Sequence, residues 1–203
     1  MTAILRSNDP LTLKGAEYLE ANLLPRVLSI QPKQMNGYTM KTFLGLERIS
    51  KQSIVIALGN HLEAFWNQVI SDAANVNNLI ELNNMVNVAG KLRQVDHYFE
   101  DIDQGVKLYL ESKCNLDFDS EKSKSSNSKI LQVREALGAD LGAYFVPTTD
   151  VIDQKDLVKY NNKGVQVYGV EWMLQQVDAQ FTCAEYFTFG REVVASILEE
   201  KGL

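Results

Sequence analysis

Cysteine is scarce in this 203-residue chain, which has only Cys114 and Cys183. Two cysteines are too few for a disulfide framework, and their separation does not match the spacing of a zinc site. The chain must therefore be held together by an apolar core. Its length and its apolar content of 45% are sufficient for one such core, so we expect a single domain.

Long apolar runs and common catalytic motifs are also absent from the sequence. No stretch of 18 apolar residues occurs, and the first residues, MTAILRSNDP, lack the pattern of a signal peptide. We therefore expect a cytoplasmic protein with no membrane partner. The sequence contains no glycine-rich phosphate loop and no nucleophilic serine elbow. These absences argue against phosphate binding by such a loop and against catalysis by a nucleophilic serine.

The formal net charge of -6 argues against indiscriminate binding to nucleic acid. Positive charge is nevertheless concentrated locally, since Lys122, Lys124 and Lys129 lie among serines and asparagines. Such side chains suit phosphate contacts. Arg93 could make a similar contact. Acidic residues lie among the lysines, so a mixed-charge surface loop is an equally good interpretation of this stretch.

Residues 94–124 read as a β-hairpin followed by a polar segment. In the second strand Glu111 and Lys113 are two residues apart, so they share one face. A two- or four-residue turn gives paired residues whose numbers sum to 207, which places Asp96 opposite Glu111, with Cβ atoms about 4.5 to 5.5 Å apart. A three-residue loop with Gly105 in the left-handed region is the alternative, and it would pair Asp96 with Ser112.

Two carboxylates that face each other on a sheet repel, so a structure that keeps both ionised needs a cation nearby. Mg²⁺ is a natural candidate, because it prefers oxygen ligands and is commonly held by one or two carboxylates. Lys113 could orient an attacking water and offset charge on a phosphate. The alternative is that Asp96, Glu111 and Lys113 form only an ion pair on a solvated face.

The residues Val95-Asp96 and Glu111-Ser112-Lys113 resemble the motif of the PD-(D/E)xK nuclease superfamily, which includes many type II restriction endonucleases. The family usually has proline where this chain has Val95. The resemblance implies that Asp96 and Glu111 bind the metal, that the Ser112 carbonyl is a further ligand, and that Lys113 is catalytic. It also implies an α/β fold with a restriction-endonuclease-like mixed central β-sheet flanked by helices.

The resemblance covers residues 52–149, which we take as the catalytic core. We expect a helical N-terminal part over residues 9–72 and a helical C-terminal part over residues 150–203. Apolar spacing predicts a helix that begins near Ser53. Glu63 on this helix is a fourth catalytic candidate, because many relatives have a glutamate there that faces the metal; a solvated helix glutamate is the alternative.

Local patterns predict the remaining elements. Helices are expected from Pro10, over 38–49, 129–137, 153–160 and 170–177, and from Thr182 to Lys201. Strands are expected within residues 76–90, 141–147 and 164–168.

The sequence therefore predicts a Mg²⁺-dependent type II restriction endonuclease that cleaves a specific double-stranded DNA sequence. A homodimer is expected, because two copies would cut the two strands of a palindrome. Two alternatives remain open: a repair, recombination or structure-selective nuclease with the same site, and a non-catalytic protein that binds DNA or another protein.

Overall fold

The computed structural model describes residues 10–31, 51–76, 79–81, 85–102, 104–114, 120–150 and 165–203. The helices predicted over residues 38–49 and 153–160 lie outside these ranges. The chain divides into two compact units, one made of Met1–Phe65 and Gln180–Leu203 and the other of Trp66–Ala179. The organisation as a single domain stays a prediction. None of the described helices has the length and apolar character needed to cross a lipid bilayer.

The described part of the first unit is helical. Its aromatic residues Tyr18, Phe65, Phe181 and Tyr186 have ring centroids 5.7 to 6.3 Å apart and form the centre of the unit. Thr182 caps the C-terminal helix as predicted: its hydroxyl accepts from the Glu185 amide, and the Glu185 carboxylate accepts from the Thr182 amide. The helices of this unit are α1 (Pro10–Asn22), α2 (Leu24–Leu28), the first part of α3 (Lys51–Val76), α6 (Cys183–Phe189) and α7 (Ala195–Glu200), with a π-helical segment Gly190–Val194 between the last two.

The second unit is built on a five-stranded sheet in the order β1-β4-β5-β6-β7. Strand β4 is antiparallel to both of its neighbours, β1 and β5, whereas β6 is parallel to both of its neighbours, β5 and β7. A separate antiparallel ribbon consists of β2 and β3. The strands are β1 (Leu79–Glu81), β2 (Met85–Val88), β3 (Lys91–Gln94), β4 (His97–Asp101), β5 (Val106–Ser112), β6 (Leu141–Phe145) and β7 (Gln166–Tyr168).

Helices cover both faces of this sheet. Helix α4 (Ser120–Leu137) connects the parallel strands β5 and β6, and its Ile130 and Val133 share a buried cluster with Tyr109 and Tyr144 of the sheet. On the other face the Trp66 ring of α3 makes an edge contact with Phe145, at a centroid distance of 5.1 Å. A further helix, α5 (Val170–Gln176), follows β7. The prediction of an α/β fold with a mixed central sheet flanked by helices is confirmed.

A buried histidine anchors the α3 face of the sheet. His97 is 1% exposed, and its Nδ1 lies 2.7 Å from Oδ1 of Asn67 on α3. Burial lowers the pKa of His97 to about 3, against a smaller opposing effect of Glu111. The imidazole is therefore neutral near pH 7, and Nδ1 donates its proton to the Asn67 carbonyl.

The β4–β5 hairpin has the register predicted for a two- or four-residue turn. Its pairs run from His97–Leu110 to Asp101–Val106, so paired residue numbers sum to 207. Four residues connect the strands, and the last of them, Gly105, has φ +62°. The prediction of a two- or four-residue turn is confirmed. The three-residue alternative is wrong, although Gly105 does lie in the left-handed region.

A glycine ends the helix that crosses between β5 and β6. Gly138 has φ +62°, and its amide and that of Ala139 donate to the last carbonyls of α4. We expect Gly138→Ala to lower the free energy of unfolding by about 1 kcal/mol, because an alanine is strained in this backbone region. Denaturant unfolding measures the change.

Gly190→Ala is the matched control, since an added Cβ meets no atom within 4 Å at either glycine but Gly190 has a helical φ of -57°. This variant should be neutral or more stable by up to about 1 kcal/mol. Equal destabilisation by both substitutions would contradict the conformational explanation.

Candidate active site

A buried carboxylate near the end of β5 is the centre of the candidate site. The Glu111 side chain is 6% exposed and accepts hydrogen bonds from three residues. The Tyr109 hydroxyl donates to Oε2 at 3.0 Å, and the Lys113 ammonium donates to Oε1 at 2.8 Å. Lys129, from helix α4, lies 2.8 Å from both oxygens. Strand alternation brings Tyr109 and Lys113 to this face, whereas Lys129 reaches it from the crossover helix.

Opposing effects act on the pKa of Glu111. Burial raises this pKa, because a charge is costly away from water, but the charges and hydrogen bonds of Lys113 and Lys129 together outweigh burial. The net result is a pKa below the ordinary value, so Glu111 is ionised at neutral pH. Burial, and then the adjacent Glu111 charge, raise the pKa of Tyr109, which remains a hydrogen-bond donor.

Asp96 lies one residue before β4. The hairpin register, continued by one pair, would place it opposite Glu111, but Asp96 forms a bend instead. Its Oδ2 accepts a 2.8 Å hydrogen bond from the amide of Ser112, the last residue of β5. The carboxylate is therefore fixed at the same end of the hairpin as Glu111. The role of the Ser112 carbonyl as a metal ligand stays a prediction.

Lys113 is the first residue after β5 and is anchored by its main chain. Its amide donates to the Phe145 carbonyl at 2.9 Å, so the peptide is held on the end of β6. Its side chain is 28% exposed, which leaves the ammonium accessible to a ligand while it contacts Glu111. A substrate group at this end of the sheet would meet Lys113 from the solvent side.

A buried hydrogen bond fixes helix α4 next to the site. Tyr144, which pairs with Glu111 across β5 and β6, donates from its hydroxyl to Oδ1 of Asn127 at 2.7 Å. Tyr144 is fully buried and Asn127 is 3% exposed. Because Asn127 precedes Lys129 on the same helix, this bond helps to hold the Lys129 ammonium in place.

Asp96 and Glu111 are of the chemical type that magnesium binds, and the metal site stays a prediction. Within the described ranges, no group of three or more His, Cys, Asp or Glu side chains could hold a metal. Mg²⁺ does not need such a group, because it commonly binds one or two carboxylates and keeps several waters. Asp96 and Glu111 supply two carboxylates at the end of one hairpin. A divalent cation that binds Glu111 would have to compete with Lys113 and Lys129 for its oxygens.

The structure places Glu111 in contact with Lys113, and Asp96 in contact with the Ser112 amide. The catalytic and metal-binding roles of these residues stay predictions. The alternative of a solvated ion pair is wrong for Glu111, because this carboxylate is buried. Lys129, predicted as a DNA contact, is placed on Glu111.

The other predicted residues lie elsewhere or are not described in full. Arg93 is exposed on β3. Glu63 is half-buried on the part of α3 that belongs to the first unit, and its catalytic role stays a prediction. The side chains of Lys122 and Lys124 on α4 lie outside the described part of the structure.

Three residues that contribute to the site were not predicted in their present roles: Tyr109, Asn127 and Lys129. Tyr109 could have been found from the sequence, because strand alternation places it on the face of Glu111. The contacts of Asn127 and Lys129 depend on how α4 packs against the sheet. Helical periodicity does not specify which side chain meets a given strand residue.

The two lysines allow a test of how Glu111 is kept ionised. We expect the double variant Lys113→Met/Lys129→Met to lose more stability at pH 7 than the two single variants together, by about 3 kcal/mol or more, because it leaves a buried carboxylate without a cation. Denaturant unfolding of all four proteins measures this coupling. Additive losses would contradict the shared role of the lysines.

We also expect the contribution of Glu111 to the pH dependence of stability to have opposite signs in the unsubstituted protein and in the double variant. In the unsubstituted protein the lowered pKa of Glu111 contributes stability above its ordinary value of 4.5, and this contribution is lost as the pH falls through the folded-state pKa. In the double variant burial dominates and raises the pKa. Its Glu111 therefore favours folding at low pH and opposes it increasingly as the pH rises above about 4.5. Unfolding free energies between pH 4 and 7, compared with those of Glu111→Gln, check this prediction.

Comparisons with known proteins give a likeness of structure only. No family model matches the chain, and no curated protein matches it by sequence. Can2 from Sulfobacillus thermosulfidooxidans, solved in complex with cyclic tetra-adenylate, is similar over 89% of this chain and 55% of its own, with 13% identity and a TM-score of 0.42. Protein VC1899 from Vibrio cholerae is similar over 87% of this chain and 59% of its own, with 13% identity and a TM-score of 0.43. The chain thus spans little more than half the length of these two proteins.

Proposed function

We propose that the protein is a Mg²⁺-dependent type II restriction endonuclease that cleaves double-stranded DNA as a homodimer. The observation that carries this proposal is the ionised, buried Glu111 in contact with Lys113, with Asp96 fixed at the same end of the hairpin. These are the residues in which the chain resembles the motif of the PD-(D/E)xK nucleases. Burial of a charged group is costly, so a carboxylate held in this way supports a functional role.

The charges around Glu111 suit a phosphodiester substrate. The Glu111 carboxylate contacts two ammonium groups, those of Lys113 and Lys129, so these three side chains carry a formal charge of +1 although the chain carries -6. An approaching phosphate anion therefore meets no net local repulsion. Lys113 can donate from its partly exposed ammonium to a phosphate oxygen and stabilise the charge that develops there. Glu111 orients Lys113 for this role.

Asp96 and Glu111 are the residues that would hold the metal. A bound Mg²⁺ would polarise the phosphoryl oxygens and lower the pKa of a coordinated water. Asp96 is held ready by the Ser112 amide, so its carboxylate does not have to be ordered when the ion arrives. Tyr109 fixes the orientation of the Glu111 carboxylate in the same way.

The dimer follows from the symmetry of the proposed substrate. A palindromic sequence has a two-fold axis, and two copies of one active site related by that axis would reach both strands.

Substitution of Lys113 or Asp96 tests the proposed chemistry. We expect Lys113→Ala and Asp96→Ala to reduce cleavage of plasmid and phage DNA in Mg²⁺ by about 100-fold or more, because each removes a charge that acts in the transition state. Binding to DNA should change little. Gel analysis of the cleavage products and a binding titration measure the two effects.

Lys107→Ala is the matched control, because Lys107 lies on the same strand and face but about 20 Å from Lys113. It should cleave normally, and EDTA should stop cleavage by the unsubstituted protein. Discrete bands with defined ends would support a restriction enzyme, whereas a smear or nicking would support a structure-selective or degradative nuclease. Near-normal cleavage by Lys113→Ala would remove this residue from the mechanism.

A further inference from the structure

The β2–β3 ribbon differs in charge from the rest of the chain. Residues 82–95 contain no aspartate or glutamate, although the whole protein has a formal charge of -6. The same stretch contains Lys91 and Arg93, and both are exposed. The ribbon is therefore a positively charged element that adjoins the active site along the chain.

The two faces of the ribbon have different surroundings. Paired residues share a face, and Val86, paired with Arg93, is buried in the cluster that contains Tyr109 and Ile130. This face packs against α4 and the sheet of the second unit. The opposite face consists of two pairs, Met85–Gln94 and Asn87–Leu92, whose four side chains are all exposed, Leu92 to 66%.

We propose that the β2–β3 ribbon lies in the major groove of the DNA. Asn87, Leu92 and Gln94 contact base edges. Lys91 and Arg93 start from the opposite face, and their long, exposed side chains reach past the outer edge of β3 to the flanking phosphates. The inference rests on the proposed function for its substrate, and it adds the element that recognises the DNA.

The exposed face suits base edges better than a protein surface. The major groove is about 12 Å wide and admits a two-stranded ribbon. Amide side chains such as Asn87 and Gln94 can pair with adenine, and an apolar side chain such as Leu92 can contact the thymine methyl group. Lysine is depleted in the cores of protein interfaces, whereas it is common at phosphates.

The ribbon is also suited to precise placement. Its turn consists of Ala89 and Gly90, with φ +49° and +79°, which is the tight two-residue turn that matches the twist of paired strands. Val95, which follows β3, is fully buried, and Asp96 comes next. A ribbon seated in the groove would therefore fix the position of a site carboxylate relative to the DNA backbone.

Binding of DNA by cleavage-deficient proteins tests the inference. The full chain with Lys113→Ala is titrated with two 30-base-pair duplexes, one containing the mapped cleavage sequence and one with that sequence scrambled, at several salt concentrations. Adding Arg93→Ala should weaken binding to both duplexes by similar factors and reduce the salt slope by about one. Adding Gln94→Ala should weaken binding about 10-fold on the cleavage sequence and little on the scrambled duplex.

Lys107→Ala, in the same Lys113→Ala background, is the control for loss of a lysine outside the ribbon, and circular dichroism confirms that each variant is folded. The inference is overturned if the ribbon variants bind the two duplexes as tightly as this control does. Unchanged DNA binding together with dissociation of a dimer would assign the ribbon to a protein interface instead, which also overturns it.

The nuclease proposal and the ribbon inference fail separately. Absence of Mg²⁺-dependent cleavage would refute the proposed nuclease. The salt slope of Arg93→Ala on the scrambled duplex still tests the ribbon in that case, because this measurement requires no cleavage and no mapped sequence. If Arg93→Ala has the same salt slope as the Lys107→Ala control, the ribbon inference is refuted even if the protein cuts DNA.

Discussion

The buried charge of Glu111 is the constraint on which the second unit depends. A carboxylate that is 6% exposed is tolerated only because three donors from two elements satisfy it. Tyr109 comes from its own strand, Lys113 directly follows that strand, and Lys129 comes from the helix that crosses to the next strand. The position of α4 over the sheet is therefore an electrostatic requirement as well as a consequence of apolar packing.

Much of the site could be predicted from the sequence because its first components are local. Alternation along a strand determines that Glu111 and Lys113 share a face, and the turn determines which residue lies across from them. The predicted position of Asp96, opposite Glu111, is one pair beyond the last regular pair of the hairpin. Its departure from the strand was not predictable, because the hydrogen bond to the Ser112 amide replaces regular pairing at that point.

The contribution of α4 could not be predicted for a physical reason. The apolar residues of a helix indicate which side is buried, but they do not fix its axial position on the sheet. That position is set by contacts such as the Tyr144–Asn127 hydrogen bond, which join residues far apart in sequence. Lys129 was accordingly interpreted as a surface cation. The fold class was easier, because a hairpin, a helix and a further strand leave few possible topologies.

The arrival of one lysine from the crossover helix has a consequence for how the second unit folds. Before α4 docks, the β4–β5 hairpin presents Glu111 with only Lys113 and Tyr109 as partners, and water can still reach the carboxylate. Docking of α4 removes that water and delivers Lys129 in the same step. Desolvation of the charge and its neutralisation are thus a single event. A chain with a partly docked helix gains little stability, so the completed site forms cooperatively.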